Sequence, residues 1–289
     1  MHPTRSALGE PMLRQRVITA LIMAGLFLLA VALLSLPWLA LLFGVLICLA
    51  AWEWSGLCGW DSPPARGLYV LAVAVVLGLL YHYCQLGAAA PREQVQPVLG
   101  IACLWWSLAL LWVKGYPGSA MFWRTKPMRA LMGILVLAPA WVAAVYLLSF
   151  PRGGGLVVLL VVVVATADIG AYFSGKHWGR HKLAEVVSPK KTWEGFWGGV
   201  SACTLLALLL WSQLPDQQAH VSLAAVLVVT LATALASVVG DLTVSMVKRE
   251  AGVKDSGSLL PGHGGLLDRL DSICGAAPVL ALGLLLAGW

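Results

Sequence analysis

Nine apolar runs follow one another along the chain, near residues 17–36, 38–52, 67–84, 97–113, 130–150, 155–174, 196–214, 221–247 and 273–289, each ended by polar residues or a Gly/Pro-rich break. About 20 apolar residues is the length an α-helix needs to cross a hydrocarbon core of about 30 Å. Composition agrees: 60% of the 289 residues are hydrophobic and 11% are charged. A soluble domain carries about 25% charged residues, so this stock could not cover a water-exposed surface. Intrinsic disorder, which needs low hydrophobicity, is excluded by the same figures. The expected fold is all-α, a polytopic transmembrane helix bundle of about nine spans built as one integral membrane unit. The break at Pro37 leaves open whether the first two runs are separate spans or one hairpin. Arg14 and Arg16 precede the first run as in a signal peptide, but its length and the many runs that follow favour an uncleaved first span.

Orientation follows from the basic residues, which stay on the cytoplasmic side. With a cytoplasmic N-terminus, the inner segments hold all of the 19 Lys and Arg residues except Arg92 and Arg152. One missed or invented span would scramble this asymmetry from that point onward. The net charge of +6 is therefore concentrated on one face, where anionic headgroups or nucleotide phosphates would be met. Nucleic-acid binding is not expected, because no soluble basic domain exists to carry it. Six cysteines, mostly inside apolar runs and without paired short spacings, read as packing residues.

Carboxylates in such runs are costly unless paired, protonated or metal-bound. Asp168 lies about 13 residues into its run, about 20 Å across the core at 1.5 Å per residue, within reach of the inner end. Function is one reading of it and a hydrogen bond between helices is the other. Asp241 follows Val221–Gly240 and reaches a similar depth. Asp268 and Asp271 precede the last run, and their spacing of three puts both on one side of a helical turn. Four carboxylates are thus expected at one end of the bundle, a hard-oxygen set that suits magnesium better than zinc.

Two inner loops, 175–195 and 248–272, are polar and glycine-bearing. The first carries Ser188, Lys190, Lys191 and Thr192. The second carries Lys248, Arg249, Lys254 and Arg269, with His263 among Gly262, Gly264 and Gly265. A lysine pair beside a membrane can be a topology anchor as well as a ligand. The glycines free backbone amides to curl around an anion, and beside acids and bases at a membrane surface this reads as a phosphate site with metal support. Joining two phosphorylated molecules requires both anions and the departing pyrophosphate to be neutralised, and a phosphate oxygen needs no serine or cysteine nucleophile.

The segment SMVKREAGVKDSGSLLPGHGGLLDRLD, Ser245 to Asp271, resembles the signature of the bacterial phosphatidate cytidylyltransferases, the CDP-diacylglycerol synthases. Further similarity runs through DIGAYFSGKHWGRHKLAEVVSPKKTWEGFWGG, Asp168 to Gly199, through Gly240 and Asp241, and more loosely through LRQRVITA and WEW. Strong similarity therefore covers the C-terminal half, with residues 1–150 expected as scaffold helices and 151–289 as the catalytic region.

The resemblance implies that CTP and phosphatidate yield CDP-diacylglycerol and pyrophosphate, with Mg2+ required and a monovalent cation such as K+ as an assisting ion. It implies metal ligation by Asp241 and Asp271, supported by Asp268 and Asp168. Phosphate neutralisation falls to Lys190, Lys191, Lys248, Arg249 and Arg269. Lys254, Gly264 and Gly265 join the substrate site, Ser188 and Thr192 hydrogen-bond phosphate, and His263 donates to a phosphate or to the leaving group. CTP, phosphatidate and membrane lipids are the implied partners, a homodimer is left open, and the site faces the cytoplasm from the inner membrane.

Asp255 is left between ligand and loop cap, and Glu53, between two tryptophans, has no assigned role. His177 and His181 are four apart, but their basic surroundings disfavour a cation. A cation-coupled transporter would want midplane acids in related half-repeats, which are not found. A CDP-alcohol phosphatidyltransferase would want its own run of aspartates, which is absent.

Overall fold

A computed structural model describes residues 9–87, 90–213, 221–259 and 264–288. Its helices are α1 (Gly9–Leu33), α2 (Leu36–Leu57), α3 (Pro63–Tyr83), α4 (Arg92–Gly115), the single turn α5 (Ala120–Trp123), α6 (Lys126–Leu148), α7 (Gly153–Trp178), α8 (Trp193–Ser212), α9 (Leu223–Glu250) and α10 (Leu267–Leu286). Between α7 and α8 lies an antiparallel hairpin of β1 (Lys182–Ala184) and β2 (Ser188–Thr192), with Lys182 opposite Thr192 and Ala184 opposite Ser188.

Each expected run is a helix, and among the described residues eight are long and apolar enough to cross a membrane. The first contributes a shorter described apolar stretch, Ile18–Leu33. Pro37 does not merge the first two runs: it stands in the first turn of α2, where its missing N–H costs nothing. Prolines likewise open α3 and α6. Ser222 caps α9 by accepting from the Ala225 amide at 3.1 Å.

The helices extend past the apolar runs. α7 continues to Trp178, α9 to Glu250, and α10 starts at Leu267 rather than near 273. The two inner connections accordingly shrink to residues 179–192 and 251–266, and the first is a hairpin rather than a plain loop. Hydropathy marks the part of a helix that lies in hydrocarbon, whereas the backbone ladder continues until a cap or turn ends it.

α6 and α10 form the centre, with 72% and 61% of their most apolar stretches buried against 33% or less for the other six spans. The main core runs through both halves of the chain, from Trp54, Leu99, Met132 and Leu137 to Met246, Leu267 and Leu280. A smaller cluster of Val163, Ala167, Cys203 and Ala234 joins α7, α8 and α9. The large apolar side chains of Leu41, Leu104, Leu205 and Val228 face outward, as lipid-facing residues do.

The basic connections meet at one end. Arg129 Nη1 donates to the Leu57 carbonyl (2.7 Å) and Lys126 to that of Gly59 (2.6 Å), joining α6 to the α2–α3 turn. Tyr116 donates to Glu250 (3.3 Å), joining α4 to α9, and Arg249 Nε donates to Val187 O (3.2 Å), joining α9 to the hairpin. The charge asymmetry of the sequence is therefore a physical face of the bundle.

Candidate active site

Two close helix crossings build the site. α7 and α8 approach through Gly170, Gly195, Gly198 and Gly199. A Cβ on Gly195 would lie 2.8 Å from the Ala171 carbonyl oxygen, and one on Gly199 equally close to that of Ala167. α9 and α10 cross at Gly240 and Gly275, where a Cβ on Gly240 would run into the Asp271 carbonyl and lie 3.1 Å from the Gly275 nitrogen. Only glycine lets these backbones come so near. Because Gly240 precedes Asp241 and abuts Asp271, the second crossing puts these two carboxylates side by side.

Thr192 ends β2 and caps α8, its Oγ1 accepting from the Gly195 amide at 3.1 Å. This cap sets the direction in which the preceding Lys190 and Lys191 leave the hairpin. Lys191 Nζ reaches Asp241 Oδ2 at 2.6 Å, with about a quarter of each side chain exposed. Asp241 Oδ1 accepts from Ser245 Oγ at 3.1 Å. Asp168 and Asp271 both interact electrostatically with Lys191 and with Asp241. Asp271 is buried, 7% exposed, and its Oδ1 accepts from the Ser272 amide at 2.8 Å.

This cluster borders a cavity of about 350 Å3 between α7, α8, α9 and the hairpin. Asp168, Lys176, Lys190 and Lys191 line one part of its wall, and Ala167, Ala171, Phe196, Val200, Leu235 and Val238 line the rest. Cationic groups beside an apolar wall suit an amphiphile with an anionic head.

Lys248, Asp268 and Gly265 form a second cluster. Lys248 is 7% exposed and its Nζ lies 2.6 Å from Asp268 Oδ1. Asp268 Oδ2 accepts from the amides of Ser256 (2.9 Å) and Gly265 (3.0 Å). The Gly265 amide, expected to serve a ligand anion, thus meets the protein's own carboxylate. Asp268 sits in the first turn of α10, whose side chains lean toward the helix N-terminus, and so it meets the loop while Asp271 meets α9.

Gly264 takes φ +81°, which favours glycine, and a Cβ there would lie 3.1 Å from Asp268 Oδ2. Arg249 holds the Val187 and Val253 carbonyls (3.2 and 3.4 Å). Ser188 is half-buried at the start of β2, and Lys254, Asp255 and Arg269 are exposed. His263 lies outside the described residues. His181 Nδ1 is 2.7 Å from Glu194 Oε1, and Glu194 also accepts from the Arg180 and His181 amides, which makes the pair a brace for the hairpin.

Among the described residues no three His, Cys, Asp or Glu side chains gather as a metal-binding group, so the four aspartates do not make one cage. The neighbouring pair Asp241 and Asp271 nevertheless fits magnesium. That ion commonly takes one or two carboxylates and completes its shell with phosphate oxygens and water. The Lys191 ammonium against Asp241 stands where a cation would be accepted.

One residue missed by the sequence reading belongs to the same end. Glu53, 4% exposed near the end of α2, accepts from Ser256 Oγ (2.9 Å), the Leu266 amide (3.0 Å) and the Leu267 amide (2.8 Å). Its only signal was a carboxylate placed between Trp52 and Trp54 at the edge of an apolar run.

A sequence model described as the cytidylyltransferase family matches residues 14–287. The chain is 44% identical over 278 residues to a phosphatidate cytidylyltransferase of Pseudomonas aeruginosa, covering 96% of this chain and 99% of the relative. It is 38% identical to one of Haemophilus influenzae (92% and 96% covered) and 34% identical to one of Brucella suis (93% and 92%).

Proposed function

The chain belongs to the cytidylyltransferase family, and from that premise we propose that it transfers the cytidylyl group of CTP to phosphatidate, giving CDP-diacylglycerol and pyrophosphate for phospholipid synthesis. The observation that carries the mechanism is the cluster of Lys191 with Asp168, Asp241 and Asp271 beside a cavity that is cationic in part and otherwise apolar. An integral membrane protein can take a lipid sideways from the inner leaflet. We place the site at the cytoplasmic face of the bacterial inner membrane, where CTP arrives, because the basic connections gather there.

In this mechanism the apolar wall receives the chain-bearing part of phosphatidate, while Lys176, Lys190 and Lys191 attract its phosphate and those of CTP. A phosphatidate oxygen attacks the α-phosphorus of CTP. The new P–O bond forms as the bond from the α-phosphorus to the oxygen bridging the α- and β-phosphates breaks, and pyrophosphate leaves with that electron pair. The protein's task is to orient two anions in line and to offset their repulsion. Asp241 and Asp271 would hold Mg2+, whose contribution when bound is neutralisation of phosphate charge. Lys191 pairs with Asp241 in this structure, and with Mg2+ held by the two carboxylates its ammonium would be free to neutralise phosphate.

The test uses purified protein with CTP and phosphatidate in mixed micelles. CTP-dependent pyrophosphate release is expected from the unaltered chain. Asp241→Asn and Asp271→Asn are expected to abolish turnover while leaving folded protein in the membrane. Near-normal turnover in both would remove them from the site.

A further inference from the structure

We propose that Glu53, from the N-terminal half of the chain, is a positioning residue for the reaction: it fixes the start of α10 so that Asp271 stays opposite Asp241. The inference rests on the reading of Asp241 and Asp271 as the metal-holding pair.

α10 begins without a cap of its own. Its N-cap residue is Leu266, which has no side-chain oxygen, so the first amides of the helix need an outside acceptor. Glu53 supplies it from 213 residues away in sequence, taking the Leu266 amide on Oε1 and the Leu267 amide on Oε2. A carboxylate there also meets the positive end of the helix dipole. The same Oε2 accepts from Ser256 Oγ on the other arm of the connection.

The fit around this carboxylate is close. A Cβ on Gly257 would lie 2.5 Å from Oε1, and one on Gly265 would lie 2.5 Å from Oε2. Asp268 grips the same two arms through the Ser256 and Gly265 amides. Two carboxylates, one from α2 and one from α10, thus clamp the α9–α10 connection on either side of residues 260–263. Asp271 lies one helical turn beyond Leu267, so a rotation or slip of the first turn carries it away from Asp241. Glu53 itself is on α2, outside the cluster around Lys191.

Glu53→Gln separates this role from bulk stability. The amide keeps the size and one acceptor oxygen, but in either orientation its NH2 faces the Leu266 or the Leu267 N–H and cannot accept from it. In purified protein we expect kcat to fall at least tenfold with the KM for phosphatidate within twofold. Affinity for Mn2+, read without substrate from the electron paramagnetic resonance of free Mn2+, should weaken about tenfold. The thermal midpoint and the elution profile should stay close to those of the unaltered chain. Ser256→Ala, which removes only the hydroxyl contact, should show a smaller effect in the same direction.

A Glu53→Gln protein with unaltered kcat and Mn2+ affinity would overturn the proposal, as would a loss of rate fully matched by a loss of folded protein. Asp241→Asn serves as the separate control. If it binds Mn2+ as the unaltered chain does, the metal reading fails on its own, and Glu53 is then judged by the split between kcat and KM.

Discussion

Gly240→Ala tests whether the α9–α10 crossing sets the geometry of the reaction. The added methyl would sit 3.1 Å from the Gly275 nitrogen, 3.2 Å from the Gly275 Cα and closer still to the Asp271 carbonyl oxygen. Carbon contacts are comfortable at about 3.5–4.0 Å, and all three neighbours are backbone, so α10 must move by roughly 0.5–1 Å. Overpacking of this kind costs about 1–3 kcal/mol. Alanine's better helix propensity offsets about 1 kcal/mol of that. A net loss of this size leaves most of the protein folded, because native proteins are stable by about 5–15 kcal/mol. The effect on rate should be far larger, since a misplacement of about 1 Å can cost on the order of 100-fold. The assay is CTP-dependent pyrophosphate release from phosphatidate micelles, with the elution profile and thermal midpoint recorded on the same preparation. Gly100→Ala in α4, where a Cβ meets nothing within 4 Å among the described residues, is the control and should keep full rate. Gly240→Ala turning over within threefold of the unaltered chain would refute the claim that this crossing sets the spacing of Asp241 and Asp271.

Lys191→Ala should raise the KM for CTP or phosphatidate roughly 10-fold or more, the worth of a hydrogen bond to a charged group, and an unchanged KM would return the residue to the role of membrane anchor. Burial pushes the Cys58 thiol up to about 12, so its thiolate fraction at pH 8 is on the order of one in ten thousand. A maleimide should accordingly leave turnover intact in the folded protein, and rapid inactivation traced to Cys58 would contradict the packing. Single cysteines at Lys190 and Arg152 should label from opposite sides of sealed, right-side-out vesicles, with only the one at Arg152 open to an impermeant reagent. Labelling of both from outside would invert the assigned topology.

The span count and the segregation of charge were legible in the sequence because both are properties of composition along a line. A helix in lipid satisfies its own backbone, so hydropathy alone locates it, and the basic residues mark its ends. Less legible were the places where the chain leaves hydrocarbon. The apolar run of α7 stops near residue 174 while its helix goes on to Trp178, and the next residues pair as strands. Lys182, Ser188 and Lys190 carry no alternation of apolar and polar residues strong enough to announce a hairpin, whose order comes instead from Arg249 on the Val187 carbonyl and Glu194 on the Arg180 and His181 amides.

The candidate site shows the same limit more sharply, because its residues were visible as a list but not as two groups. Lys191 and Lys248 look alike in sequence, each a base beside a membrane span. Packing sorts them: Lys248 is buried against Asp268 and holds a loop together, whereas Lys191 remains partly open at a cavity with Asp241. Asp268 and Asp271 likewise differ only in which neighbour the first turns of α10 offer them. That choice depends on how closely α9 and α10 cross and on where α10 begins, and the residues that decide these are Gly240 and Glu53. Neither would contact substrate in the proposed reaction. A glycine immediately before a membrane aspartate is the signal that could have revealed the first, since a carboxylate held against a neighbouring helix needs that helix close. The second had no local signal, because the helix end that Glu53 completes lies more than 200 residues away.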